Sequence, residues 1–145
     1  MNQAPSKTEH IVMQVLDTAT TLERAMDSAL SFSRGVTFSE YRLLRTLRDA
    51  ENGMTRVALA HAVSVSPSGV TRALKPLEKL GYVTTVKNDR DARQSLARLT
   101  EGGHELLSDV SGVLADFFAG LNLDTTDEAQ MLAMEELLTH MRSRR

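Results

Sequence analysis

The chain is 145 residues long, 41% hydrophobic and 25% charged, with a formal net charge of −2 and no cysteine. That length suits one domain, or one domain with helical extensions, and is enough for a real core. The lack of cysteine excludes disulfides, thiolate metal sites and thiol redox sensing. Met1 to Glu9 is polar with no apolar stretch behind it, and no run approaches a membrane span. A cytoplasmic location is the simple expectation.

The charge is unevenly placed. Between Met54 and Thr100 the basic residues are Arg56, Arg72, Lys75, Lys79, Lys87, Arg90, Arg93 and Arg98, against only Glu78, Asp89 and Asp91. That stretch is +5 and the rest of the chain −7. A phosphate-binding surface needs local positive charge, not a basic whole. A solvated charged face is the commoner fate of such a cluster, so charge alone does not decide.

In chain order, residues 1–7 read as a frayed tail. A long helix is predicted from about Thr8 to Arg34, with Val12, Val15, Leu16, Ala19, Leu22, Met26, Ala29 and Leu30 at helical spacing and Gly35 as its stop. So long an apolar stripe wants a partner beyond a small core. Thr37 and Glu40 form a capping box, flanked by Val36 and Tyr41 at staple positions. The helix they start runs to about Asp49 and buries Leu43, Leu44 and Leu47. Asn52-Gly53 is a turn signal.

Thr55 can cap a helix over Arg56 to Ala62 that buries Val57, Leu59, Ala60 and Val63. Ser64 to Ser66 makes a tight turn. Ser66 caps the next helix, with Pro67 at its first position, where the missing N–H costs nothing. Val70, Leu74, Leu77 and Leu80 face inward, while Ser68, Thr71, Arg72, Lys75 and Lys79 face outward. Pro76 conflicts with a helix interior and predicts a bend or a loosened turn. Gly81 fits a left-handed stop. Tyr82 to Val86 reads as a strand, Asn88 to Arg93 as a polar turn and Ser95 to Leu99 as the returning strand.

Thr100 caps a long helix to about Ala119, weakened at Gly102-Gly103 and ended by Gly120. Thr125 and Glu128 read as a second capping box, before a last helix carrying Leu132, Leu137, Leu138 and Met141. Arg142, Arg144 and Arg145 suit its C-terminus.

A helix, a tight turn, a basic second helix and a hairpin with a charged tip form the order that places a helix in the major groove of DNA. Ser66, Ser68, Thr71, Arg72 and Lys75 cluster on the leading part of that second helix. Hydroxyls and a helix N-terminus suit phosphate oxygens, and Arg72 suits a bidentate guanine contact. Capping alone explains Ser66. Lys79 is as well explained by solvent as by phosphate, and Lys87 is a weaker backbone candidate. Arg42, Arg45 and Arg48 recur every three residues and read individually as solvated. His10, His61, His104 and His140 have no close metal spacing, and the seven methionines read as core fillers. No catalytic constellation or phosphate loop stands out, so neither an enzyme nor a cofactor is expected.

With those residues in view, the stretch Thr55 to Thr100 resembles the MarR family of bacterial transcription regulators. The likeness rests on Ser68 with Thr71-Arg72, on Leu77-Glu78 with Gly81 and Val83, and on Asp91 and Arg93 followed by Leu99-Thr100 and Gly103. The resemblance implies a mainly α fold with a small β-hairpin wing, a winged helix-turn-helix with N- and C-terminal dimerisation helices. Residues 1–35 would be the N-terminal dimerisation helix, 36–100 the DNA-binding domain and 101–145 the C-terminal dimerisation helices. It implies a homodimer that puts two recognition helices roughly 34 Å apart on double-stranded DNA with a pseudo-palindromic operator. Arg90 or Arg93 would reach the minor groove from the wing, with Asp91 holding an arginine in place.

In this family small anionic or aromatic effectors often lodge where the dimer helices meet the DNA-binding lobe. That junction here would involve Phe32, Ser33, Arg34, Tyr41 and Arg45, with core packing the expected role of Phe32 and Tyr41. Two other readings stay open: a winged-helix module that docks an acidic protein, and a small-molecule binding protein or enzyme using a cavity between lobes.

Overall fold

The computed structural model describes residues 6–143; Met1 to Pro5 of the expected tail, and Arg144 and Arg145, lie outside them. The elements are α1 (Lys7–Arg34), α2 (Phe38–Arg48), β1 (Met54–Thr55), α3 (Arg56–Val63), α4 (Pro67–Lys79), β2 (Val83–Asn88), β3 (Asp91–Leu99), α5 (Glu101–Gly120), a short 3-10 turn (Leu123–Thr125) and α6 (Glu128–Arg142). The chain divides into two compact units, one ending at Leu114 and one beginning at Ala115.

The first unit is built on local signals that work as the sequence reads. Ser6, Thr37, Thr55 and Ser66 each accept a backbone N–H at the start of their helix, and Thr37 with Glu40 closes the full capping box. Gly35 and Gly81 adopt positive φ at helix ends. At the exit of α4 the Tyr82 N–H reaches the Leu77 carbonyl and the Gly81 N–H the Glu78 carbonyl, a Schellman close that only a left-handed residue completes without strain. Leu30, Leu43, Leu44, Leu47, Leu59, Val70, Leu74, Leu77, Val83, Ala97, Leu99 and Val110 are buried and form the core. The sheet has the order β1-β3-β2, antiparallel throughout.

Several expectations are corrected. Val57 is 65% exposed rather than buried; it stands roughly 200° around the helix from Leu59, which faces the core. Phe32 is 97% exposed for the same reason, two residues beyond buried Leu30, so it does not pack in this core. Leu80 is 65% exposed, because the Schellman close folds the chain back onto Leu77 and leaves Leu80 outside. Pro76 does not interrupt α4, which continues to Lys79 with the Leu80 N–H bonded to the Pro76 carbonyl at 3.0 Å. The wing is longer and its turn tighter than read: only Asp89 and Arg90 separate β2 from β3, and Asp91 pairs with Asn88 across a bulge.

The second unit contains the end of α5, the 3-10 turn and α6. Phe117 and Phe118 meet edge-on at 5.7 Å. The Thr125–Glu128 capping box does not form. Thr125 lies in the 3-10 turn, with its hydroxyl donating to the Asn122 carbonyl, and Asp127 caps α6 instead. No described residue of α6 is buried, and Met131, Leu132, Met134, Leu137 and Leu138 are exposed.

Candidate nucleic-acid interface

Helix α4 rests on Val70, Leu74 and Leu77, and this fixes which face it turns outward. That face carries Ser68, Thr71, Arg72, Lys75 and Lys79, all exposed. The Ser66 hydroxyl accepts the Gly69 N–H at 3.1 Å and lies 3.1 Å from the Ser68 hydroxyl. Thr71 donates its proton to the Pro67 carbonyl at 3.0 Å and so offers lone pairs outward. It is therefore better suited to a base amino group than to phosphate in this rotamer.

The wing carries Lys87, Arg90 and Arg93, also exposed. Its tip is ordered by side chains. Asn88 Oδ1 accepts the Arg90 N–H and Asp91 Oδ1 accepts the Arg93 N–H, each at 3.0 Å. Asp91 therefore holds Arg93 through its backbone N–H and takes part in no ion pair among the described residues. Among the described residues the ion pairs are Arg34–Asp109, Arg48–Asp49 and Arg56–Glu78. Arg72, Lys75, Lys79, Lys87, Arg90 and Arg93 take part in none of them.

Arg56 and Arg42 each donate hydrogen bonds to other elements of the fold. Arg56 counts toward the basic surplus of the sequence, but its guanidinium binds Glu78, Thr85 and Ser95. No spacing in the sequence signals that cluster, because its members come from four elements. Contrary to the solvated role its spacing suggests, Arg42 is half-buried, donates to the Val63 carbonyl at 2.9 Å and lies 5.9 Å over the Phe38 ring. A hollow of about 140 Å³ opens beside it, lined among others by Ser39, Leu43, Val65 and Gly69. That is small against the roughly 300–1,000 Å³ of typical ligand pockets.

The five residues of the expected effector junction fall on two elements, Phe32, Ser33 and Arg34 on α1 and Tyr41 and Arg45 on α2. Ser33 and Arg34 are exposed in the last turn of α1, and Arg34 lies 3.9 Å from Asp109 of α5. Tyr41 is half-buried on α2, its ring 6.3 Å from that of Phe38. Arg45, one turn further on, is exposed.

This geometry has known counterparts. The profile of the MarR family matches residues 34–94. The regulator SarZ from Staphylococcus epidermidis is 30% identical over 98 residues, which cover 68% of this chain and 65% of SarZ. A MarR family transcriptional regulator from Streptomyces coelicolor, solved in complex with DNA, superposes with a TM-score of 0.85 at 24% identity, covering 98% of this chain and 90% of that one. CouR from Rhodococcus jostii, solved bound to p-coumaroyl-CoA, gives 0.83 at 19% identity, covering 98% of each chain. At such identities the two structures speak for the fold alone. Taken with the capped helix-turn-helix and the wing, these matches identify residues 34–94 as a MarR-family segment in a chain that has the fold of such regulators.

Proposed function

We propose that this protein regulates transcription by binding a pseudo-palindromic operator in double-stranded DNA as a homodimer, and releases it on meeting a small anionic or aromatic effector. One observation carries the reading: the outward face of α4 and the wing together expose six basic side chains that form no ion pair among the described residues. Ser68, Thr71, Arg72 and Lys75 would meet the major groove, and Lys87, Arg90 and Arg93 the flanking backbone and minor groove. Asp91 contributes by setting the backbone before Arg93.

Pairing is supported by apolar side chains left uncovered on α1 (Val12, Met13, Leu16) and on α6 (Met131, Leu132, Met134, Leu137, Leu138). Several apolar side chains exposed along a single helix are the kind of surface that an interface covers. For the effector, exposed Arg45, in no ion pair among the described residues, offers a guanidinium one turn from the Tyr41 ring, which suits a small aromatic carboxylate. Ser33 and Arg34 would line the same junction.

A mobility-shift titration over salt tests the reading. About six to ten phosphate contacts per dimer predict an affinity loss on the order of 10³–10⁵ between 50 and 200 mM salt. Binding that ignores salt, across many fragments, contradicts it.

A further inference from the structure

We infer that Arg56 and Glu78 are positioning residues that fix the wing against α4, so that the two DNA-contacting elements meet the duplex as one rigid body. This rests on the DNA-binding reading above. Arg56 is the first residue of α3. Its Nη2 lies 3.2 Å from Glu78 Oε1 on α4 and 3.2 Å from Thr85 Oγ1 on β2, and its Nη1 donates to Ser95 Oγ on β3 at 3.0 Å. Thr85 in turn donates to the same Glu78 oxygen at 2.6 Å. One guanidinium thus ties three other elements together.

The pair is also the most shielded among the described residues. Its side chains are 26% and 31% exposed, against roughly half for the partners in the Arg34 and Arg48 pairs. Salt screens such a pair less than an open one.

Its place in the sheet gives it work to do. Strand β1 supports β3 only at Met54↔Ala97 and Thr55↔Leu96. Ser95 is the next residue outward. From there to the tip the wing is a bare two-stranded hairpin, with a bulge between Lys87 and Asn88. Such a hairpin has little stability of its own. Alternation from buried Val83, Ala97 and Leu99 puts Thr85, Lys87 and Ser95 on the face that meets the core. The Arg56 cluster takes hold where apolar packing gives out. A wing released there must be ordered by DNA at the cost of affinity, although no DNA contact has been removed.

The test is a double-mutant cycle on the full chain with a duplex that the wild type binds. Arg56→Ala weakens binding by about tenfold in the wild type and in Arg72→Ala, but by less than about twofold when Arg90 and Arg93 are both alanine. Equal losses in all three backgrounds, with a salt slope reduced by about one per protomer, would mean that Arg56 touches phosphate itself and would overturn the proposal.

Hydrogen exchange of the free protein gives a readout that needs no DNA. Amides from Lys87 to Gln94 exchange about tenfold faster in Arg56→Ala, and unchanged exchange overturns the proposal. Should Arg56→Ala fail to fold, Thr85→Val keeps the shape and removes one arm of the cluster. It is expected to show the same pattern at about threefold, and an unaltered wing in that variant is a refutation. Wild type that binds no duplex sinks the DNA reading, while the exchange measurement still decides whether the brace exists.

Discussion

Gly103→Ala is a demanding test of how α5 is seated on the sheet. The residue lies in the first turn of α5, where its N–H donates to the capping hydroxyl of Thr100 at 3.1 Å. A methyl group there would run into the Tyr82 carbonyl oxygen and come within 2.6 Å of Leu99 Cδ1. Neither can give way easily. The Tyr82 oxygen already accepts the Thr100 N–H at 3.1 Å, and Leu99 is buried. Helix propensity by itself predicts a gain of about 1 kcal/mol for glycine to alanine. Overpacking opposes that by about 1–3 kcal/mol, and lifting α5 away from Tyr82 forfeits a hydrogen bond worth about 1 kcal/mol. The net expectation is a loss of about 1–3 kcal/mol. Gly112, in the same helix, has nothing within 4 Å of the added carbon, so Gly112→Ala keeps the gain of about 0.5–1 kcal/mol. Urea melts with unchanged slopes should therefore move in opposite directions for the two variants. If Gly103→Ala proves as stable as Gly112→Ala, the seating described here is wrong.

Three other outcomes are expected. Arg72→Ala leaves stability within about 0.5 kcal/mol, since the side chain is exposed and unpaired, yet costs about 1–3 kcal/mol of operator binding per half-site and relaxes preference at one base position, as a shift assay with single-base operator variants will show. The double variant Leu137→Glu, Leu138→Glu places charge on the uncovered face of α6 and yields monomer in sedimentation while the far-ultraviolet helix signal of the protomer persists; a dimer that survives it argues for a different interface. Thr37→Ala breaks the capping box of α2 and lowers stability by about 1 kcal/mol in a melt, with Thr37→Ser restoring most of it.

What the sequence made legible was mainly what short-range chemistry controls. The caps Thr37, Thr55 and Ser66, Pro67 at a helix start, and Gly35 and Gly81 at helix ends all act within four residues of themselves, and all are found as read. The inward rows of α2 and α4 follow from spacing alone, apart from Leu80 at the end, where the chain turns back. The misreadings have a common cause. Strand β1 is two residues long and exists because of Ala97 and Leu96, some forty positions away, so no local pattern announces it. Hydrophobicity alone points Val57 and Phe32 inward, but their angles place them across the helix from Leu59 and Leu30. Asn122 in a left-handed conformation and the tight turn after it move the start of α6 past Thr125.

At the candidate site, exposure of Ser68, Thr71, Arg72 and Lys75 follows from the amphipathic pattern of α4. The engagement of Arg56 and Arg42 with distant partners does not, because a basic residue looks the same in a sequence whether it faces solvent or a carboxylate. Asp91 shows the same limit: its partner is a backbone N–H two residues on, a choice made by the tightness of the hairpin turn.

The central claim is that two copies of α4 and its wing read one duplex across a two-fold axis. Selection of bound duplexes from a random pool tests this most directly. The expected result is an inverted repeat with half-sites about 10 base pairs apart from centre to centre, or a multiple of that, flanked by A·T-rich steps where the wings fall. A pool that shows no enrichment, or a single asymmetric site bound by one copy, would contradict the account.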